Sequence, residues 1–572
     1  MESKVKKPIK KTGVKKNLKV KFTPTTPSKG KKVKSVTAFN VDNLKGQLNG
    51  TVPCIRKKKG VKKNVKKKVM GKKRKQVSEH LEKPLSKKQR RLRNIYPERC
   101  DPNEENIDIE LMFGEDIGAL LVQDSREEGR KKFQWIISPH TEENFFSNYW
   151  EKKPLHIKRS DSLYYDKVFT TKDFDKILHE SRVLYGKNLD ITSYTDGKRE
   201  THNPIGQAHA PVVWDYFSNG CSVRMLNPQT FHRPVWQLLS SLQEYFNSFC
   251  GANIYLTPPD NQGFAPHWDD IEAFILQLEG KKHWRVYQPK SKELELPVLS
   301  SHNLCQDELG KLILDVTLEE GDLLYFPRGF VHQANTVGNT HSLHMTISTY
   351  QKNTWGHLLE KLLPQALTTA MAEDKEYRQG LPRDYLNSMG IVNMDKDSPS
   401  RNDFKAKVSE LFTRLGKYLS IDAAVDEQGC SLMHDALPPC LTQEDKSCSV
   451  YGNGERWGHK KQKVIDRVEL RLDTPIRLIR GNCLRVVAES DNVNVYHCLE
   501  NTREYHQEEP QFVELVPENA PAIEALVHAY PKYLTVESLP LNDDAEKMAV
   551  ASGLWERGLI VTATPLNIVD NK

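Results

Sequence analysis

Residues 253–287 read NIYLTPPDNQGFAPHWDDIEAFILQLEGKKHWRVY. Pro and Gly mark off three short apolar runs in this stretch. Asn253–Thr257 stops at Pro258 and Pro259, Phe274–Leu278 ends at Gly280, and His283–Tyr287 ends near Pro289. Such runs predict β-strands, because Pro cannot donate to a ladder and Gly marks turns and bulges. The pattern continues downstream. Asp322–Phe326 ends at Pro327, and Ser342–Tyr350 alternates small polar and apolar residues. The expectation is a mainly β barrel or jelly roll over residues 250–350.

Between the first two runs lie His267 and Asp269. On extended backbone, residues two apart face the same side, so an imidazole and a carboxylate converge there. These are two of the three ligands of a facial triad. His-x-Asp/Glu occurs at His80/Glu82, His140/Glu142, His267/Asp269 and His506/Glu508. Only the third sits among apolar runs with a further His delivered by a later strand. That residue is His332, at the end of Gly321–His332, a strand followed by a Pro/Gly turn. Two His and one carboxylate on one octahedral face leave three positions open, which non-haem Fe(II) uses for a bidentate 2-oxoacid and O₂.

Lys281 and Lys282 stand at the mouth of the following strand. A buried Lys needs a partner, and the far carboxylate of 2-oxoglutarate is a suitable one. Periodicity does not choose between the two lysines. Asn253 and Tyr255 lie two apart on one strand, and His344 and Ser348 share a face of the last. These polar groups on apolar strands are expected to converge on one pocket.

Upstream, Phe133–Ile137 with Phe145, Phe146, Tyr149 and Trp150 predicts a helix ending before Lys152-Lys153-Pro154, then a short strand at Leu155–Ile157. Downstream, Trp355–Met371 carries Leu at helical spacing, with Pro364 as a kink. Phe404, Val408, Leu411 and Leu415 mark a second amphipathic helix, serving self-association or capping the barrel. After residue 428, strands are expected at Val468–Leu472, Ile476–Ile479, Val493–Leu499 and Leu559–Thr562, and helices at Ala520–Tyr530 and Asp543–Arg557. That is a small α+β module.

Charge divides the chain. Residues 1–100 hold 34 Lys+Arg against 5 Asp+Glu, a net of +29, and the other 472 residues hold 50 against 70, a net of −20. Residues 1–94 are nearly free of aromatics and cannot bury enough apolar surface to offset the entropy of ordering. Their basic clusters (Lys57–Lys59, Lys66–Lys68, Lys72–Lys75, Lys87–Arg93) suit nuclear import and salt-sensitive, non-specific binding of RNA or DNA. No apolar run reaches the roughly 18 residues of a membrane span. The ten Cys are scattered with no CxxC pair, which predicts reduced thiols and no zinc ribbon.

The segments Ser193–Pro204, Val213–Tyr216, Asn253–Pro259, Gly263–Tyr287, Gly321–Gln333 and Ser348–Gly356 together resemble the JmjC-type ribosomal oxygenases, in their nucleolar histidyl-hydroxylase branch. The resemblance runs from about Phe133 onward, and a long basic N-terminal tail is typical of that branch. It implies a double-stranded β-helix (JmjC, cupin-like) with flanking helices over 108–352, after a disordered tail at 1–107. It further implies a helical dimerisation region over 353–427 and a winged-helix-like domain over 428–572. By the same resemblance His267, Asp269 and His332 are iron ligands, Lys282 binds the 5-carboxylate of 2-oxoglutarate, and Asn253, Tyr255 and Ser348 are other pocket positions. Arg224 lines the substrate groove. Trp268 stands where the family more often has Tyr. The implied reaction is Fe(II)- and 2-oxoglutarate-dependent hydroxylation of a histidyl residue of a large-subunit ribosomal protein, in the nucleus and nucleolus, by a homodimer. Alternatives are demethylation of lysine on histone tails and a non-catalytic chromatin or pre-ribosome scaffold.

Overall fold

The computed structural model describes residues 123–489, 492–504 and 510–569. The basic tail and the expected start of order near residue 108 lie outside the described residues, as does His506/Glu508.

The expected first helix is two helices, Ser125–Ile137 and Glu142–Asn148. Pro139 lies between them, and its ring lacks the N–H that would continue the first helix. Thr141 opens the second by accepting the Asn144 N–H at 3.2 Å.

Eleven antiparallel strands then form two facing sheets. They are β1 (Leu155–Ile157), β2 (Leu189–Thr195), β3 (Lys198–Thr201), β4 (Ser222–Leu226), β5 (Gly251–Thr257), β6 (Glu272–Gly280), β7 (Lys282–Tyr287), β8 (Leu312–Leu318), β9 (Leu323–Phe326), β10 (Val331–Thr336) and β11 (Ser342–Thr349). The larger sheet has the order β1-β9-β6-β11-β5-β4-β2-β3, and the smaller has the order β10-β7-β8. Period-2 alternation gives the larger sheet two different faces. Its outer face carries Ile254, Leu256, Phe274, Leu276, Tyr325 and Met345, packed with Phe133, Ile136, Leu238 and Leu242 of the covering helices. Its inner face carries Ala273, Ile275, Leu324 and Phe326, which meet Trp284, Val286 and Leu318 of the smaller sheet. This is the expected double-stranded β-helix with flanking helices.

Helices Trp355–Glu373, Pro399–Leu415 and Ile421–Asp435 follow. The apolar stripe on the second of these divides. Leu415 is buried against Ala366 and Ala370, whereas Val408 and Phe412 are exposed. Leu359, Leu367 and Met371 on the first helix are exposed as well.

The C-terminal α+β module has its own core, including Ile476, Leu478, Ile523, Leu526, Val550, Leu554 and Ile560. Strand Pro475–Leu478 lies between Leu534–Thr535 and Ile560–Thr562. The strand expected at Val468–Leu472 is absent, and only Val468 makes a bridge, to Ile568. The Arg471 N–H donates to Thr474 Oγ1 at 2.8 Å and closes a turn in place of a ladder.

A buried polar seam joins this module to the barrel's helices. The Ser125 N–H donates to the Tyr530 hydroxyl at 3.0 Å, and Gly481 N–H donates to Ser125 Oγ at 2.9 Å. Ser125 Oγ in turn donates to Glu244, whose carboxyl burial pushes up to about 7.

Candidate metal centre

The metal-bearing segment lies along the edge of the smaller sheet. His267 and His332 form one antiparallel bridge, with His332 N–H donating to His267 O at 2.9 Å and His267 N–H to His332 O at 3.3 Å. Gly329 N–H donates to Asp269 O at 3.0 Å. One bridge therefore brings together residues 65 positions apart in sequence and fixes their spacing through backbone alone.

Side-chain geometry follows. Asp269 Oδ2 lies 3.8 Å from Nε2 of His267 and 3.8 Å from Nε2 of His332. Ligand atoms of the three residues all fall within 4.8 Å of one another. Each imidazole has its other nitrogen spoken for: His267 Nδ1 is 2.8 Å from Ala265 O, and His332 Nδ1 is 3.2 Å from Phe330 O. A carbonyl can only accept, so both Nδ1 atoms carry a proton, which leaves each Nε2 as the ligand atom beside Asp269 Oδ2. This is the arrangement that prepares His for a metal. Burial, with His267 alongside, holds the His332 imidazole well below its usual pKa and hence neutral, as a ligand must be. The three residues fit a divalent metal with open coordination positions.

A cavity lies in front of the triad. Tyr255, Phe264, Lys282, Trp284, Phe326 and His344 line it with the triad. Lys282 is 5% exposed, and its ammonium donates to Thr257 Oγ1 at 3.0 Å. No carboxylate pairs with it among the described residues, and burial alone pushes it down to about 7. Lys281, by contrast, lies in the turn between β6 and β7, exposed and paired with Glu319. The register of β7 thus decides which lysine enters the cavity.

His344 stacks on Tyr255 with ring centroids 4.8 Å apart and 4° between planes. Burial, then Lys282 and His332, keep its imidazole well below its usual pKa. His344 Nδ1 and Trp284 Nε1, on two residues that line the cavity, are buried without a partner among the described residues. Buried polar atoms are rarely left so, and their concentration here marks a cavity shaped for a polar ligand.

The remaining expected residues divide. Tyr255 lines the cavity. Asn253 and Ser348 are buried on strands β5 and β11 but do not line it, and the Ser348 hydroxyl donates to Gly251 O at 3.3 Å. Arg224 stands opposite Tyr255 in the sheet register. It is buried and ion-paired with Asp190, its partner on β2, with its guanidinium 5.5 Å from the Phe264 ring centre. Burial works to raise the Asp190 carboxyl, but the Arg224 charge and hydrogen bond outweigh it and hold the carboxyl below its usual range.

Trp284, Phe264 and Thr257 went unassigned from sequence. Trp284 could have been found, since it lies two residues after Lys282 on the same strand. Thr257 carried the same signal, two residues after Tyr255 on β5, whereas Asp190 had none, because what matters there is the strand it faces.

Two family models match the chain: the JmjC domain over residues 224–358, and the C-terminal winged helix domain of ribosomal oxygenase 1 over residues 437–566. Ribosomal oxygenase 1 of Danio rerio is 49% identical over 462 residues, covering 81% of this chain and 84% of that one. The bifunctional lysine-specific demethylase and histidyl-hydroxylase NO66 of Branchiostoma floridae is 51% identical, covering 80% of this chain and 71% of that one. The structure of YcfD, a ribosomal oxygenase from Escherichia coli in complex with cobalt and 2-oxoglutarate, aligns with TM-score 0.38 and 19% identity over 74% of this chain and 99% of that chain. With relatives this similar across about four-fifths of its length, the chain belongs to the ribosomal oxygenase 1/NO66 family of JmjC proteins.

Proposed function

We propose that this protein is an Fe(II)- and 2-oxoglutarate-dependent oxygenase that hydroxylates a histidyl residue of a large-subunit ribosomal protein. The observation that carries the reading is Lys282: a buried ammonium with no carboxylate partner, in the same cavity as His267, Asp269 and His332. Together they suit a ligand with one end chelating a metal and a carboxylate at the other.

His267, Asp269 and His332 would hold the iron, which when bound supplies the oxidising chemistry with O₂ and 2-oxoglutarate. The chain's own residues do the rest. Lys282 neutralises the far carboxylate and fixes the co-substrate's direction. Ala273, Ile275, Trp284 and Phe326 exclude water from the cavity floor. Arg224 and Asp190 brace the wall formed by Tyr255 and Phe264, so that the substrate side chain is held at one distance and angle. Roles for Asn253 and Ser348 are confined to supporting that wall from the strands behind it.

One feature favours a histidyl over a methyl-lysyl substrate. Asp269 is the one carboxylate among the described residues that line the cavity, and a metal would occupy it. Asp190 is already neutralised by Arg224. A methylated ammonium from a histone tail would find no counter-charge, whereas a neutral imidazole needs only hydrogen-bond partners. The experiment is mass spectrometry of ribosomal-protein and methylated histone peptides after turnover. We expect one oxygen added to a histidine. Formaldehyde release from the histone peptide with no oxygen on histidine would refute the reading.

The rest of the proposal concerns placement. The basic clusters within 1–94 direct the protein to the nucleus and nucleolus and hold RNA or DNA without sequence preference. The exposed faces of helices Trp355–Glu373 and Pro399–Leu415, with Leu359, Leu367, Met371, Val408 and Phe412, pair two copies as a homodimer. No helix among the described residues is long and apolar enough to cross a membrane.

A further inference from the structure

Asp270 follows a ligand, yet neither the metal nor the cavity uses it. Its carboxylate is engaged at both oxygens. Oδ1 accepts from the Ser300 hydroxyl at 2.6 Å, and Oδ2 accepts from Gln351 Nε2 at 2.9 Å. Its N–H also reaches Ser300 Oγ at 3.3 Å. Ser300 belongs to the loop between β7 and β8, and Gln351 to the short link between β11 and helix Trp355–Glu373. Asp270 is therefore where two distant parts of the chain are tied to the metal-bearing segment.

That segment is held along both edges. On one edge are His332 and Gly329, described above. On the other, Ser301 N–H donates to Trp268 O at 3.0 Å, Trp268 N–H to Ser301 Oγ at 3.0 Å, and Leu304 N–H to Pro266 O at 2.8 Å. Asp270 is joined to Asp269 by one peptide unit, and both its N–H and its carboxylate are held, so its clamp constrains the backbone from which the Asp269 carboxylate leaves.

We propose that Asp270 is a positioning residue for the metal. Its clamp on Ser300 and Gln351 sets the aim of the Asp269 carboxylate, and Gln351 makes that aim depend on where the helical region begins. The inference rests on the metal-centre reading above. Groups that orient ligands typically change metal affinity by about 10- to 100-fold when removed.

The test is an oxygen-free Co(II) titration of the full chain, followed by its visible absorption, alongside thermal melting. Asp270→Ala should weaken Co(II) binding by about tenfold. Gln351→Glu should weaken it similarly, because two carboxylates then face each other, even though an added negative charge near a cation would by itself strengthen binding. Combining Gln351→Glu with Asp270→Asn restores an amide donating to a carboxylate, and should restore affinity. Ser300→Ala, which removes only a hydroxyl, serves if Asp270→Ala does not fold, and should weaken binding several-fold. Affinities near that of the unsubstituted chain for Gln351→Glu and Ser300→Ala would overturn the inference, whatever the melting temperatures do. So would a failure of the paired exchange to restore binding. If the unsubstituted chain itself bound no Co(II), the metal-centre reading would be at fault instead.

Discussion

Binding of 2-oxoglutarate should draw a proton from solution, and Lys282 should be where it goes. Burial holds this side chain at about 7. A bound carboxylate requires the ammonium form and holds it charged. At pH 8 about nine in ten Lys282 side chains are neutral before binding, so complex formation takes up about 0.9 proton; at pH 6 the figure is about 0.1. Affinity should fall about tenfold per pH unit above 7, or about 1.4 kcal/mol per unit. The assay is isothermal titration calorimetry on Mn(II)-loaded, oxygen-free protein in buffers of different ionisation enthalpy, whose heats give the proton number directly. Lys282→Met should abolish the uptake and weaken binding by about 2–5 kcal/mol, the loss for removing one partner of a desolvated charge pair. A proton number near zero at pH 8, with affinity flat across pH 6–8.5, would refute the reasoning. The same group gives a sign for folding. Its folded pKa lies below its unfolded value near 10.4, so the unfolded chain binds more protons between about 7 and about 10.4. The burial penalty is fully present below pH 7 and is relieved as pH rises through that window.

Arg224→Ala leaves the Asp190 carboxylate buried and unpaired, and should cost about 3–5 kcal/mol in denaturant melts. Removing Asp190 as well should recover part of that, and the KM for 2-oxoglutarate should stay near its original value while peptide hydroxylation per succinate drops. Val408→Glu with Phe412→Glu should yield monomers in sedimentation with little change in melting temperature. Leu415→Glu should instead destabilise the fold, because that side chain packs on Ala366 and Ala370. Deleting residues 1–94 should leave turnover on a peptide nearly unchanged and abolish salt-sensitive RNA binding, which filter binding across a salt series would measure.

What was legible in the sequence was local. His267 and Asp269 announce themselves by a spacing of two, Asn253–Thr257 and Phe274–Leu278 as short apolar runs closed by Pro or Gly, and Ser342–Tyr350 by alternation. Every one of those strands is present. The breakdowns occurred where a choice depended on a distant partner. Periodicity does not separate Lys281 from Lys282; only the family resemblance picks out Lys282, and the physical reason is the pairing of β7 with β8 and β10, which turns it inward. Phe404, Val408, Leu411 and Leu415 look like one stripe, but the neighbouring helix covers only its end. Val468–Leu472 has a strand's alternation but, among the described residues, only the single bridge from Val468 to Ile568 beside it. The Nδ1 contacts that ready both imidazoles come from backbone carbonyls, which carry no sequence signal at all.

The seam at Ser125 also has a consequence in time. Its N–H is satisfied by Tyr530, 405 residues later. At typical rates of about 5–20 residues per second, a ribosome finishes Ser125 roughly 20–80 seconds before it reaches that tyrosine. For that interval the first described helix rests on the nascent barrel's helices through Phe133, Ile136 and Ile137 and through the hydrogen bond from Ser125 to Glu244, with the Ser125 N–H still waiting for its partner. The C-terminal module thus locks the first described helix only once Tyr530 has been made.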